Sequence, residues 1–348
     1  MHKNSDHWQL LFSLESRDVV TKWHRKIVGR ELNARRAKEI NFAAKQAREF
    51  FRNADSSNDS VKPLLTFYGV ASLSRAVILL LRRTSGEASL NAGHGLETVG
   101  WRSVLGGDLS SGLSALGQLK IKTCSGLFSD FLSETKNHIC MHVRSSAVDW
   151  GLSYDIPPVG EEITLNDLIS RLPDLQAQHQ RSSHERYYAS VNEMSYTENG
   201  GFHAKVSENY FDVFKDSYAD LGYSASESGH WLDLKCNDEI FKSYTPQYMH
   251  AYVNKNFGSI PSLYIVKPFS RESRYSQMAI TYMLTYILGM LSRYFPTHWI
   301  SLLSGEKGDE MWPVIHAAQR YVDQCFPELV VEFIHDKLDA TEGIQHRW

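Results

Sequence analysis

Arg293 and His298, a guanidinium and an imidazole with four residues between them, stand at the end of a hydrophobic late segment. A guanidinium is permanently charged, and its planar fork of donors suits phosphate oxygens. An imidazole titrates near neutral pH and can give or take a proton. Together the two can hold a phosphate, stabilise charge developing on it and move the proton of an attacking hydroxyl, all without a metal. A plainer role fits the same residues: Pro296 ends a helix, Arg293 meets its last carbonyls, and Trp299 packs beneath. Both readings are open at this level.

The second candidate is His94, flanked by Gly93 and Gly95. Glycine on both sides permits close backbone approach and unusual dihedrals, which can present an imidazole to a pocket or a bound phosphate. The triplet also suits an ordinary turn, and no partner residue is visible. His138, Cys140 and His142 alternate, so on a strand they would share one face as soft-metal ligands. A structural zinc site needs a fourth ligand and looped spacing, so a half-buried strand is expected there, with no metal and no cofactor. The segment Arg181-Ser182-Ser183-His184-Glu185 lacks the second histidine of a zinc helix and the glycines of a nucleophile elbow, and reads as a solvated loop. The chain contains no phosphate-loop, dinucleotide or Ser/Cys nucleophile motif.

Periodicity along the chain predicts the helices and strands that carry these side chains. In residues 33–53, Ile40, Ala43, Ala44, Ala47, Phe50 and Phe51 recur at helical spacing, with Asn33 placed to cap. Residues 62–83 begin with Lys62-Pro63, where a first turn tolerates a missing N–H, and run into an aliphatic block. A polar turn over residues 55–60 joins them into a helical hairpin. Residues 86–117, rich in glycine and serine, read as an irregular connection. Alternation follows, with Leu119/Ile121 and residues 139–143 as strands, Thr164 and Asp167 as a capping pair, and Pro173 ending that helix. Residues 187–196 and 202–206 flank Asn199-Gly200-Gly201 as a hairpin, residues 209–221 form a helix, and 230–235 and 263–266 form strands. Helix returns over 275–294 and 310–325, with Pro327 as its stop.

The expected class is α+β, with N- and C-terminal helices packed together around a β-rich middle. The corresponding regions are 1–118, 119–270 and 271–348. Residues 33–83 should pack on 275–326, because neither set can bury its apolar face alone. The chain has 348 residues and a net charge of -3, enough length for a sizeable core and no global attraction to nucleic acid. Its four cysteines are widely separated, which fits a reducing cytoplasm better than a disulfide framework. Residues 1–8 lack the apolar run of a secretory signal. A membrane span needs about 20 mostly apolar residues, and residues 275–292 carry Ser276, Gln277, Thr281 and Thr285 between flanking arginines, so a buried helix is expected and no membrane partner.

The hairpin, Gly93-His94-Gly95-Leu96 and the stretch Arg293-Tyr294-Phe295-Pro296-Thr297-His298-Trp299 resemble the YaaC-like family of bacterial proteins over most of the chain. Within that resemblance Arg-Tyr-x-Pro-x-x-Trp is the recurring unit. It raises His94, with Gly93 and Gly95, as a binding site. The Arg-to-His spacing also looks like the signature of HEPN domains, helical modules several of which cleave RNA without a metal. Here Tyr294 stands where such nucleases usually have a small polar residue, and Pro296 lies inside the spacer. The HEPN-like resemblance implies an interaction or regulatory protein, a homodimer or protein partner, and a setting in bacterial stress or antiphage defence. The alternative it implies is RNA as partner, with Arg293 and His298 as the catalytic pair of a metal-independent ribonuclease. Near His298 in the chain, Arg271, Arg274 and Lys307 are opposed by Glu306, Asp309 and Glu310, a balance that favours the module.

Overall fold

The protein is described by a computed structural model over residues 5–139, 153–182, 186–197, 199–218, 222–244, 248–251 and 262–339. It divides into two compact units. The first comprises residues 1–137, 158–168 and 278–348, and the second comprises 138–157 and 169–277.

The first unit opens with helices α1 (Ser5–Leu11), α2 (Arg17–Val28), α3 (Ala34–Ser56) and α4 (Lys62–Leu81). Asn33 caps α3 by accepting the Arg36 N–H at 2.9 Å, and Pro63 lies in the first turn of α4. The expected stripe of Ile40, Ala43, Ala44, Ala47 and Phe51 is buried against α4. There the chains come so close that a Cβ on Gly69 would lie 2.8 Å from the Phe51 ring. By length and composition α4 could cross a membrane, but 72% of its apolar window is buried inside the fold, as in a core helix.

Residues 86–117 are more regular than their glycine content predicts. They contain strand β1 (His94–Val99) and helices α5 (Trp101–Leu105) and α6 (Leu109–Ser114), the last capped by Asp108. β1 is specified by antiparallel pairing with β2 (Lys120–Gly126), a non-local contact that local glycine content cannot reveal. After β2 come α7 (Leu127–Glu134), β3 (Glu162–Thr164), which completes a sheet of order β1-β2-β3, and α8 (Leu165–Ile169). The helical unit therefore takes in residues 119–137 and 158–168, which alternation alone assigns to the middle region. Thr164 and Asp167 cap each other as expected: the Asp167 carboxylate accepts the Thr164 N–H, and the Thr164 hydroxyl accepts the Asp167 N–H, both at 3.0 Å.

The second unit holds α9 (Gln176–Ser182), β4 (Tyr188–Thr197), β5 (Gly201–Ser207), α10 (Phe211–Tyr218), β6 (Ser224–Ser228), β7 (Trp231–Cys236), α11 (Asp238–Tyr244), β8 (Tyr248–Ala251) and β9 (Ser262–Val266). Its antiparallel sheet has the order β6-β7-β5-β4-β9-β8. Phe202, Ala204 and Val206 of β5 and Leu232 and Leu234 of β7 point inward by strand alternation, and the Phe202 ring stacks on Phe241 at 4.3 Å. Helix α9 includes Arg181 and Ser182, expected in a loop, whereas residues 183–185 lie outside the described residues. Cys140 and His142 also lie outside them. His138 is buried and bridges Ser153.

The chain returns to the first unit through α12 (Gln277–Tyr294), α13 (Pro296–Leu303) and α14 (Trp312–Asp339). Ile280, Met283, Leu284, Ile287, Leu288 and Leu291 of α12 are all buried, as in a helix enclosed by protein. The N- and C-terminal helices do pack together. Thr66 donates to Asp323 at 2.6 Å, the Phe67 ring meets Tyr286 at 5.5 Å, and the Trp299 indole donates to the Asp59 carbonyl at 2.9 Å. Pro327 does not stop α14, which runs through it. Interior proline costs about 3 kcal/mol. Val322 and Phe326 before it and Leu329, Val330, Phe333 and Ile334 after it are buried, and their burial outweighs that cost.

Candidate functional site

His94 is presented by a glycine-lined crossing of backbones. The β1–β2 register shifts between His94 and Leu96, Gly93 and Gly95 have φ of +84° and +78°, and the Gly93 carbonyl accepts the Leu127 N–H at 3.1 Å. A Cβ on Gly95 would lie 2.6 Å from the Phe128 backbone nitrogen, and one on Gly126 only 2.2 Å from Gly95 N. Only glycine allows the start of α7 to cross β1 so closely.

This crossing sets the half-buried imidazole 5.1 Å from the Phe67 ring, edge-on, and 5.9 Å from Tyr286. Among the described residues no protein group hydrogen-bonds to its nitrogens. Burial, and after it the positive charge of Arg293, holds the His94 pKa below its ordinary value, so the ring is neutral at pH 7.

Arg293 reaches the same place along one stripe of α12. Tyr282, Tyr286, Gly289 and Arg293 follow at helical spacing, and a Cβ on Gly289 would lie 2.9 Å from Phe67 Cβ, so this stripe runs close along α4. The exposed guanidinium donates from Nη1 to the Tyr68 hydroxyl at 2.9 Å and lies 4.9 Å over the Tyr294 ring. Tyr68 in turn stacks on Phe50 at 5.4 Å. The sequence-based expectation that Arg293 caps its own helix is therefore not met, because Tyr68 from α4 takes the guanidinium. Pro296 does end α12, and it opens α13.

Further groups ring this cluster. The Tyr286 hydroxyl is pushed up to about 12 by burial, then by Cys124, Tyr294 and Glu97. Burial and then Glu97 raise the Cys124 thiol. The Glu97 carboxylate is offset by Lys122, 3.1 Å away.

His298 sits in different company. Its ring lies 6.1 Å from Phe295, and its Nε2 is buried, without a hydrogen-bond partner, where a Cβ on Gly112 of α6 would come within 2.8 Å. The fold thus sets Arg293 where its charge acts on His94, with Gly93 and Gly95 shaping the backbone there, and seats His298 against α6. Tyr68 and Tyr286 join this cluster unforeseen, and Tyr294, read in the sequence only as a departure from the nuclease pattern, lies beneath the guanidinium. Tyr286 could have been found from its i, i+7 relation to Arg293. A separate open groove of ≈ 560 Å³ is lined by Arg35, Lys38, Phe42 and Arg75, but Arg35 pairs with Glu39 and Arg75 with Glu87. Among the described residues no group of three or more His, Cys, Asp or Glu side chains could hold a metal ion.

Fold and site together define an α+β protein whose N- and C-terminal helices close into one helical unit bearing a cationic aromatic cluster, with a distinct antiparallel-sheet unit inserted between them in the chain. The chain belongs to the YaaC-like family: the family model described as YaaC-like Protein matches residues 12–334 and so takes in both units and the whole cluster. No curated protein and no solved structure matches it.

Proposed function

We propose that the protein is an interaction or regulatory module, HEPN-like in its helical packing, which works with a protein partner or a second copy of itself in the cytoplasm. One observation carries this reading over a ribonuclease built on Arg293 and His298: the His298 Nε2 is buried against Gly112 without a partner, while Arg293 is exposed and engaged with Tyr68. A general base must come within about 2.6–3.2 Å of the proton it takes, and Nε2, sealed against α6, has no such access. Arg293, by contrast, is exposed.

The test is incubation of purified protein with RNA in chelator. No cleavage is expected from wild type, Arg293→Ala or His298→Ala. His298→Ala should melt at lower temperature than wild type, since a ring packed on Phe295 is lost. Wild-type cleavage that leaves cyclic-phosphate ends and disappears in a folded His298→Ala would establish the ribonuclease and overturn the module.

A further inference from the structure

We propose that Arg293, Tyr68 and His94 form a binding site for a phosphate group, free or carried by a small molecule such as a nucleotide. The three side chains come from α12, α4 and β1: Arg293 donates to Tyr68, its charge acts on His94, and the Tyr68 and His94 rings lie 5.6 and 5.1 Å from that of Phe67. Arg293 is held in place by Tyr68 and by the Tyr294 ring, so little side-chain freedom remains to be lost on binding. One Nη1 bond is committed to Tyr68, which leaves the rest of the guanidinium fork for a tetrahedral oxyanion. The Tyr68 oxygen accepts that bond, and its own proton has no acceptor among the described residues. His94 adds an N–H and can gain a second by protonation.

Arg293 acts on His94 by its charge and the Tyr286 ring lies 5.9 Å away, while Tyr286 itself feels Cys124 and Glu97 of the neighbouring strands and Tyr294 of its own helix. Glu97 is paired with Lys122, so Arg293 is the uncompensated charge. An anion on Arg293 would cancel that guanidinium's repulsion, which after burial is the second cause of the lowered His94 pKa. Binding therefore draws a proton onto His94 and tightens as pH falls.

The experiment follows the histidine ring protons of the full chain by NMR, with His94 assigned through His94→Asn. Sodium sulfate serves as a tetrahedral dianion that does not itself titrate, and sodium chloride at equal ionic strength is the control. Expected are a saturable shift of the His94 signal and a rise of its apparent pKa in sulfate but not chloride. Affinity should fall about tenfold or more in folded Arg293→Ala and less in Arg293→Lys and Tyr68→Phe. Inorganic phosphate and a nucleoside monophosphate should both bind, and tighter binding of the nucleotide would point to a phosphorylated small molecule as the natural source. A response equal in chloride, one unchanged in Arg293→Ala, or acetate binding as tightly as phosphate would overturn the site. The proposal rests on the module reading. RNA cleavage would defeat that reading, whereas a silent anion titration would defeat only the phosphate site.

Discussion

Replacing Gly95 by alanine tests whether the backbone crossing beneath His94 is what presents it. The residue has φ +78°, and its added Cβ would lie 2.6 Å from the Phe128 backbone nitrogen, an atom that cannot swing away. A side chain in the left-handed region costs about 1–2 kcal/mol. Forcing a carbon into packed backbone adds about 1–3 kcal/mol. Gly95→Ala should therefore lose about 2–5 kcal/mol. Gly93→Ala is the internal control. Its φ is +84°, but its Cβ would meet nothing within 4 Å. Its loss should stay near about 1–2 kcal/mol. Urea unfolding followed by circular dichroism measures both. The His94 ring signal should move in Gly95→Ala, as α7 is pushed off β1, and should hold in Gly93→Ala. Equal losses at the two positions would refute the close-approach argument, and a neutral Gly95→Ala would refute the geometry itself.

Asp323 offers a pH test. Burial raises its pKa against the opposing effect of Thr66, Lys62 and Gln319, so the folded carboxyl holds its proton more tightly than the unfolded chain does. Its contribution to stability is then complete below its ordinary value and is lost as pH rises through the raised one. Wild type should lose stability relative to Asp323→Asn across that window, as read from urea midpoints at a series of pH values, and a constant difference would contradict this. Arg36 tests the end of α4: its buried guanidinium donates to the carbonyls of Leu79 at 3.3 Å and Arg83 at 3.2 Å, and also to that of Arg82. Arg36→Met should cost about 2–3 kcal/mol in thermal unfolding, with Arg36→Lys intermediate, and a change within about 0.5 kcal/mol would remove the cap from the account.

Elements with local signals were legible in the order of residues alone. Asn33 and Lys62-Pro63 marked helix starts, the Ile40–Phe51 stripe marked a buried face, and the Thr164/Asp167 pair and the Asn199-Gly200-Gly201 turn marked a capped helix and a hairpin. Each rests on neighbours within a few residues, where spacing alone dictates geometry. Tertiary structure decided what depends on distant partners. Strand β1 exists because β2 pairs with it, and α14 continues through Pro327 because both of its halves are buried. It also decided the partnership at the site. Arg293 and His298 are close in sequence, but Pro296 starts a second helix between them, so His298 goes to α6. The same helical stripe that carries Tyr286 brings Arg293 to Tyr68 and beside His94. Spacing along the chain could propose the first pair, but only the packing of α12 on α4 could assemble the second, because contacts between residues far apart in sequence are set by which apolar faces bury each other.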